Sequence, residues 1–376
     1  MPLEYAHEPE RDVKGLIIRK DKPFNAEPQV SLLVQHYITP DPLFFHRNHG
    51  PIPEIDIQTH EVDIVGLVSN PLHLTVADLK SKFTKRTVMA TLQCAGNRRD
   101  GLNRVKKTNG VVWGPGAVGN AVYTGCLLRD VLKAAGVVSN PEDVAKLHAS
   151  FSSVEQCEED KNYGSSIPLC KALDEYGDVL LAYEMNGKPL TRDHGYPIRV
   201  VVPGYIGARS VKYLKTISIQ SHESNAYFQQ KDYKILPSNI ESEEQACKVW
   251  CNFPAIGEYN VQSYVCEPAD GVSCKPGPCN VRGYALSGGG RSIQRVDVSA
   301  DDGRTWVTAD LYQPYCGGTK MWAWCLWTAQ LHASTKRILS RAVDSAGNVQ
   351  QEYPIWNYRG VMNNSWRTIE PDQSHL

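Results

Sequence analysis

Three stretches of the 376-residue chain gather side chains able to do chemistry: "LFFHRNHG" at 43–50, "TLQCAGNRR" at 91–99 and "RDHGYPIRVVVPGYIGARSVK" at 192–212. In the second, Cys94 closes a β-like run and is followed by Arg98 and Arg99. A thiol so placed has three uses. It can pack as a small hydrophobe, act as a nucleophile whose pKa is lowered by cations and an imidazole such as His194, or ligate a soft or high-valent metal. Spacing alone does not separate these. In the first stretch, Arg47 between His46 and Asn48-His49 would form, if buried, a fork of donors for phosphate or another oxyanion. In the third, His194, Arg199, Arg209 and Lys212 interrupt apolar strands. Cations beside buried strands are costly unless paired or ligand-bound, which points to an anionic cofactor. The "SGGGR" stretch at 287–291 lacks phosphate-loop and dinucleotide spacing and reads as a hairpin turn.

The totals exclude several function classes. A net charge of −1 with 41% hydrophobic and 22% charged residues is ordinary for a globular protein, and it provides no global field to hold nucleic acid or an anionic membrane. No apolar run of about 18 residues is present, and the opening "MPLEYAHEPERD" lacks the apolar segment of a secretory signal. A soluble, intracellular chain is expected, with most of its eleven cysteines as thiols. Seven of them (Cys247, Cys251, Cys266, Cys274, Cys279, Cys316 and Cys325) lie late in the chain without a Cys-x-x-Cys pair, so a structural zinc site is not expected. The final "SHL" differs by one basic residue from the Ser-Lys-Leu peroxisomal address. It is read as that address, with the cytoplasm as the alternative location.

The elements that must position these residues are partly legible. Residues 1–58 are proline-rich and aperiodic, an extended arm. "EVDIVGLV" (61–68) is a strand, closed by Ser69-Asn70-Pro71, and "TVADLKSKF" a short helix capped by Thr75. "VMATLQ" (88–93) is a strand that hands Cys94 to a loop. Leu127, Leu128, Val131 and Leu132 have helical spacing, ended by Gly136. "DVLLAYEMNGKPL" enters an Asn186-Gly187 hairpin turn, and "PIRVVVPGYIGARSVKYLKTISIQ" makes two strands broken at Pro203-Gly204. "PSNIESEEQ" near residue 240 suits a linker. Beyond about 245 helical periodicity disappears and short strands with "DDG" and "SAGN" turns suggest a β-sandwich.

At these residues the chain resembles the molybdenum-cofactor sulfite oxidases. "FFHRNHG", "TLQCAGNRR", "RDHGYPIRVVVPGYIGARSVK", "QKDYK" and "WNYRGVMNNSW" follow one another in that order across nearly the full length. The resemblance implies an α+β fold, with a mixed α/β sulfite-oxidase molybdopterin domain followed by an immunoglobulin-like β-sandwich through which the family dimerises. The corresponding division is an arm at 1–58, a molybdopterin-binding domain at 59–242 and a dimerisation domain at 243–376. By the same resemblance Cys94 is the protein thiolate on molybdenum. Phe45, His46, Arg47, Asn48 and His49 match the first cofactor-contacting loop. His194, Arg199, Ser210, Val211 and Lys212 match the positions that hold the pterin and its phosphate, and Glu155 is the nearest candidate for an acid on the pterin. Arg47, Arg99, Trp113, Tyr233 and Arg359 match the substrate pocket.

The implied activity is oxidation of sulfite to sulfate by oxygen-atom transfer. Three guanidiniums suit such an oxyanion independently of any family, through charge-assisted hydrogen bonds. The chain has neither the length nor the His-Pro-Gly-Gly signature of an added haem domain, so it resembles the haem-free plant type that passes electrons to dioxygen and makes hydrogen peroxide. The alternatives are the molybdenum domain of an assimilatory nitrate reductase, where a methionine tends to replace Arg359, a binding protein that has lost the metal, and a Cys94/His194 thiol hydrolase.

Overall fold

The computed structural model describes residues 3–269, 277–314, 319–333 and 337–366; Cys274, Cys316 and the terminal Ser-His-Leu lie outside these. Two five-stranded sheets build the first half. One runs Lys188–Pro189, Leu180–Met185, Val118–Leu127, Lys85–Gln93, with Arg199–Val201 also pairing on Leu180–Met185. The other runs Leu72–Thr75, Glu61–Gly66, Leu214–Gln220, His148–Ser153, Gly164–Pro168, and its Glu61–Gly66 and Leu214–Gln220 strands are parallel. Alternation makes the strand 61–66: Val62 and Ile64 are buried while Glu61 is exposed.

Local signals set the connections. Thr75 and Asp78 form a reciprocal capping box on helix Val76–Lys82. Helix Leu128–Ala134 buries Leu128, Val131 and Leu132, and the chain turns away at Gly136 with φ +72°. Asn186 and Gly187 are both left-handed (φ 51° and 78°), as a two-residue hairpin turn requires.

The second half is a β-sandwich. A four-stranded sheet (Gln262–Glu267, Gly277–Leu286, Cys325–Ala333, Asp310–Tyr312) faces a three-stranded one (Val307–Thr308, Ile293–Ser299, Leu339–Asp344). Val281, Ala285, Val296, Val298, Trp327 and Ala342 pack between them. Asp302 and Gly303 turn the chain between paired strands, as read from "DDG".

Three readings need correction. "SGGGR" does not close a hairpin: the strand before it and the strand after it belong to opposite sheets, so the loop crosses the sandwich. Its glycines are needed for close packing. A Cβ on Gly288 would lie 2.1 Å from the Tyr259 carbonyl oxygen, and one on Gly204 would lie 2.9 Å from Gly289 N. The polar stretch near 240 is not a plain linker, because Ser242 caps a short helix at Glu243–Cys247. The break at Pro203-Gly204 is longer than a kink. The next strand begins only at Leu214, and a 3₁₀ turn at Gly207–Arg209 fills the interval.

The N-terminal arm is threaded into both halves. Leu16–Lys20 pairs with Asn25–Pro28, and Ala26 exchanges backbone hydrogen bonds with His46 at 3.0 and 2.8 Å. Leu33 and Val34 enter the main core, which also takes Tyr284, Leu286 and Trp324 from the sandwich. The Tyr37 hydroxyl donates to the Trp324 carbonyl at 3.0 Å, and the Trp324 indole donates back to the Tyr37 carbonyl at 2.9 Å. Among the described residues, no helix is long and apolar enough to cross a membrane. The late cysteines assemble no metal set there either. The one group of metal-ligating side chains, Glu61, Asp63 and His73, has Lys215 already 3.2 Å from Asp63.

Candidate active site

Cys94 follows directly on strand Lys85–Gln93 and is 6% exposed. Its amide donates to the Ala117 carbonyl at 2.9 Å and its carbonyl accepts from the Asn97 amide at 2.9 Å. The loop is braced from the sandwich: Asn97 Nδ2 donates to the Tyr284 hydroxyl at 3.1 Å, and Arg98, left-handed at φ 63°, lies over the Tyr264 ring. The segment 357–363 laces onto the same loop through Met362 N to Ala95 O at 2.8 Å. The two arginines after the cysteine therefore have different fates. Arg98 ties the domains together, while Arg99 turns toward segment 357–363, its Nε donating to the carbonyls of Arg359 and Gly360, each at 3.0 Å.

Beside Cys94 is a cavity of about 60 Å³. Of the residues singled out from the sequence, it is lined by Phe45, Arg47, His49, Cys94, Glu155, His194, Arg199, Ser210, Lys212 and Tyr233. His46, Asn48 and Val211 do not line it. Asn48 reaches the Phe24 carbonyl at 2.8 Å and accepts from Lys212, whereas Val211 is packed in the main core. Trp113 is fully buried behind Cys94, its indole nitrogen unpartnered, and lines neither this cavity nor the vestibule beside it; Arg99 lines neither. Arg359 lines that more open vestibule, which shares Arg47 and His49 with the cavity and so connects it to the surface.

Reading the sequence missed Tyr163, Asp193, Gly207 and Ala208 in the cavity wall and Asp232 in the vestibule. The small pair Gly207-Ala208 beside Arg209 was an available signal. A Cβ on Gly207 would be 3.0 Å from the Gln93 carbonyl oxygen, so the glycine lets the 3₁₀ turn approach the cysteine loop.

Burial sets the protonation states. His46 is pushed down to about 4, chiefly by burial with help from Arg11 and Lys212 and against Asp193. His49 and His194 are held well below the ordinary imidazole range by burial first, then by neighbouring cations. All three are neutral at pH 7. Burial opposes the charge on Arg47, but Tyr233, Cys94 and Asp232 outweigh it and hold its pKa above the ordinary guanidinium value. Arg99 is pushed down to about 10 by burial, against Cys94, and by repulsion from Arg359 and Arg47. Burial raises Tyr233 to about 12, against Arg47, so its hydroxyl stays a donor.

The wall away from the vestibule is cationic. Arg199 donates to the carbonyls of His194 and Ser210, both at 2.9 Å, and Lys212 donates to the Asp193 carbonyl at 2.9 Å. Among the described residues neither has a carboxylate within ion-pair distance, although Arg199 is buried and Lys212 half-buried. Glu155 is engaged in structure, its Oε1 accepting from the amides of His49 (2.8 Å) and Gly50 (3.1 Å). A buried guanidinium and a partly buried ammonium without a carboxylate at ion-pair distance, with a thiol in the same cavity, fit a pterin that carries a phosphate and a sulfur-bound metal.

Comparison with known proteins gives this arrangement a class. Residues 49–228 match the oxidoreductase molybdopterin binding domain, and residues 253–372 match the Mo-co oxidoreductase dimerisation domain. Sulfite oxidase of Arabidopsis thaliana is 44% identical, the match covering 98% of this chain and 96% of that protein. Mitochondrial sulfite oxidase of Rattus norvegicus is 42% identical over 98% of this chain and 68% of that protein, and a nitrate reductase of Hordeum vulgare is 39% identical over 93% and 41%. The sulfane dehydrogenase SoxCD of Paracoccus pantotrophus superposes with a TM-score of 0.75 at 27% identity, covering 92% of this chain and 84% of that one. The fold is that of a molybdopterin oxidoreductase. Within that class, the chain belongs to the sulfite oxidase family.

Proposed function

We propose that the protein oxidises sulfite to sulfate at a molybdenum–molybdopterin centre and passes the electrons to dioxygen, giving hydrogen peroxide. One observation carries the reading: the Cys94 thiol, the Tyr233 hydroxyl and the Arg47 guanidinium line one buried cavity that opens on a vestibule containing Arg359. The bound cofactor supplies two-electron oxygen-atom transfer, and Cys94 would hold its metal. Arg199, Lys212, Ser210 and His194 would hold the pterin and its phosphate, with Phe45 against it and Glu155 keeping the His49-Gly50 loop in place. His46, Asn48 and Val211 support that wall from behind.

The protein's own residues select and orient the substrate. Arg47 and Arg359 concentrate a small dianion against a low-dielectric wall, Arg99 fixes the backbone that carries Arg359, and Tyr233 donates its hydroxyl toward substrate oxygen. Neutral His49, with its Nε2 3.0 Å from that hydroxyl, holds it in orientation. Trp113 backs Cys94 and keeps water from behind the thiol. One sulfite and one water yield one sulfate, two protons and two electrons; dioxygen takes both electrons with two protons to become peroxide. A peroxisomal location, supported by the terminal Ser-His-Leu, places that peroxide beside catalase. The dimerisation domain supports a homodimer as the working form.

Metal analysis of the purified protein, followed by sulfite assays under air with peroxide detection and then with ferricyanide, tests the reading. Molybdenum near one atom per chain and equimolar peroxide are expected. Purified protein without molybdenum that consumes no sulfite sinks it.

A further inference from the structure

Of the three guanidiniums grouped around Cys94 and Tyr233, one has a carboxylate partner. Arg99 gives donors to the carbonyls of Arg359, Gly360 and Val111, and Arg47 to Asn25 Oδ1 and the Asn48 carbonyl. Arg359 instead pairs with Asp232 at 2.7 Å, the two side chains only 10% and 7% exposed. Asp232 is the last residue of a π-helical turn, Phe228–Asp232, and Tyr233 follows it. Such turns are uncommon and recur at functional sites. The same turn thus delivers a carboxylate to the vestibule and a hydroxyl to the cavity. The Arg359 Nε is buried with no partner, so a donor of this guanidinium is still open.

To a guanidinium, a carboxylate and a sulfur oxyanion offer the same thing: paired anionic oxygens for charge-assisted hydrogen bonds. Resting on the sulfite reading above, we infer that Asp232 is a positioning residue that acts as an internal anion on Arg359, competing with the substrate and hastening release of sulfate. Arg47 and Arg359 facing a dianion with no nearby carboxylate would retain the product. With Asp232 on Arg359 one of those two positive charges is offset, so sulfate is held less tightly. Because Arg99 holds the main chain of Arg359, the guanidinium is anchored where both anions can reach it.

The test is calorimetric titration of sodium sulfate into the holoenzyme, alongside sulfite kinetics. Asp232→Asn is expected to bind sulfate about tenfold more tightly, the factor for 1.4 kcal/mol of lost competition, with both KM and kcat for sulfite lowered. Asp232→Glu, which keeps the charge, should restore values near those of the parent. Unchanged or weaker sulfate binding in Asp232→Asn overturns the inference. If that variant does not fold, because a buried cation is left unpaired, Arg359→Gln and Arg359→Gln/Asp232→Asn replace it. The pair should bind sulfate within about twofold of each other, since the competition runs through Arg359. A tenfold gain persisting without Arg359 overturns the assignment. A parent holoenzyme that neither binds sulfate nor consumes sulfite removes the functional reading itself; a parent that does both while Asp232→Asn binds no tighter removes only the inference.

Discussion

The imidazole Nε2 of His49 and the hydroxyl of Tyr233 stand 3.0 Å apart inside the cavity, with the His49 ring at 4.6 and 4.5 Å centroid distance from Tyr163 and Phe228. Aromatic packing fixes the imidazole, and its neutrality leaves the tyrosine hydroxyl free to turn toward a ligand. Tyr233→Phe keeps that packing and removes one donor. We expect kcat/KM for sulfite to fall by about 10²-fold, the usual worth of one well-placed proton-bearing group, with molybdenum content unchanged. Steady-state kinetics and metal analysis on the same preparation check both.

Cys94 offers a sharper test. Cys94→Ser replaces a thiol with a hydroxyl at a site already hydrogen-bonded through its backbone alone. The fold and the phosphate-holding wall should survive, so pterin should remain in the purified protein while turnover falls by at least about 10³-fold, as for loss of a metal ligand. Substantial sulfite oxidation by this variant would count against the ligand assignment.

Arg359 and Arg99 should separate in stability. Removing the Arg359 guanidinium weakens anion binding directly, by about 10- to 100-fold in KM for a charge-assisted hydrogen bond, with a smaller change in kcat; Arg99 lines neither the cavity nor the vestibule and acts only through the backbone that carries Arg359. Arg99→Gln also strands the carbonyls of Arg359 and Gly360, to which it donates at 3.0 Å. It should therefore lower the thermal midpoint by several degrees. Arg359→Gln leaves the Asp232 carboxylate a neutral partner and should lower it less. Melting curves beside Michaelis constants distinguish the two.

Local chemistry was legible because its causes are local. Thr75 caps a helix three residues before Asp78, and Asn186-Gly187 turns left-handed with no help from distant parts of the chain. What "SGGGR" connects depends instead on which sheet each flanking strand joins, a choice made by packing outside the glycines themselves. In the site, residue types were readable but directions were not. Phe45, Arg47 and His49 face the cavity while His46 and Asn48 turn aside; Ser210 and Lys212 face it while Val211 enters the core. That is the two-residue alternation of extended chain, and it was hidden because these segments are loops and short turns rather than strands. Asp232 escaped notice because its partner, Arg359, is far away in the chain.

The arm's contribution can be measured through Glu27. Its side chain is 1% exposed, accepts from the amides of Gly114 (2.7 Å) and Gly116 (2.9 Å), and pairs with Arg19. These amides closely follow Trp113, which shares an apolar cluster with Cys94. Glu27→Ala strands two buried donors at about 1–3 kcal/mol each. Thermal or denaturant unfolding should show a loss of about 2–6 kcal/mol, with Glu27→Gln intermediate because one acceptor oxygen remains.

Lys212 makes cofactor loading depend on pH. Burial pushes its pKa from 10.5 down to about 8, with Arg199 and Arg47 adding repulsion against Glu155 and Asp193. Below about pH 8 the ammonium is present and can meet a phosphate; above it the site loses that charge. A bound dianion raises the pKa again, so binding above that point must take up a proton. The affinity of the protein without its cofactor for inorganic phosphate should fall above about pH 8, by up to tenfold per pH unit, as one-proton linkage requires. Folding stability without the cofactor should move the other way. Between about pH 8 and 10.5 the unfolded chain holds the Lys212 proton and the folded chain does not, so stability rises with pH across that window. Lys212→Met should abolish the fall in phosphate affinity and bind phosphate weakly at every pH, while the stability slope is reduced but not lost, because burial also pushes Lys171 down to about 8; calorimetry at a series of pH values, with melting curves on the same samples, decides it.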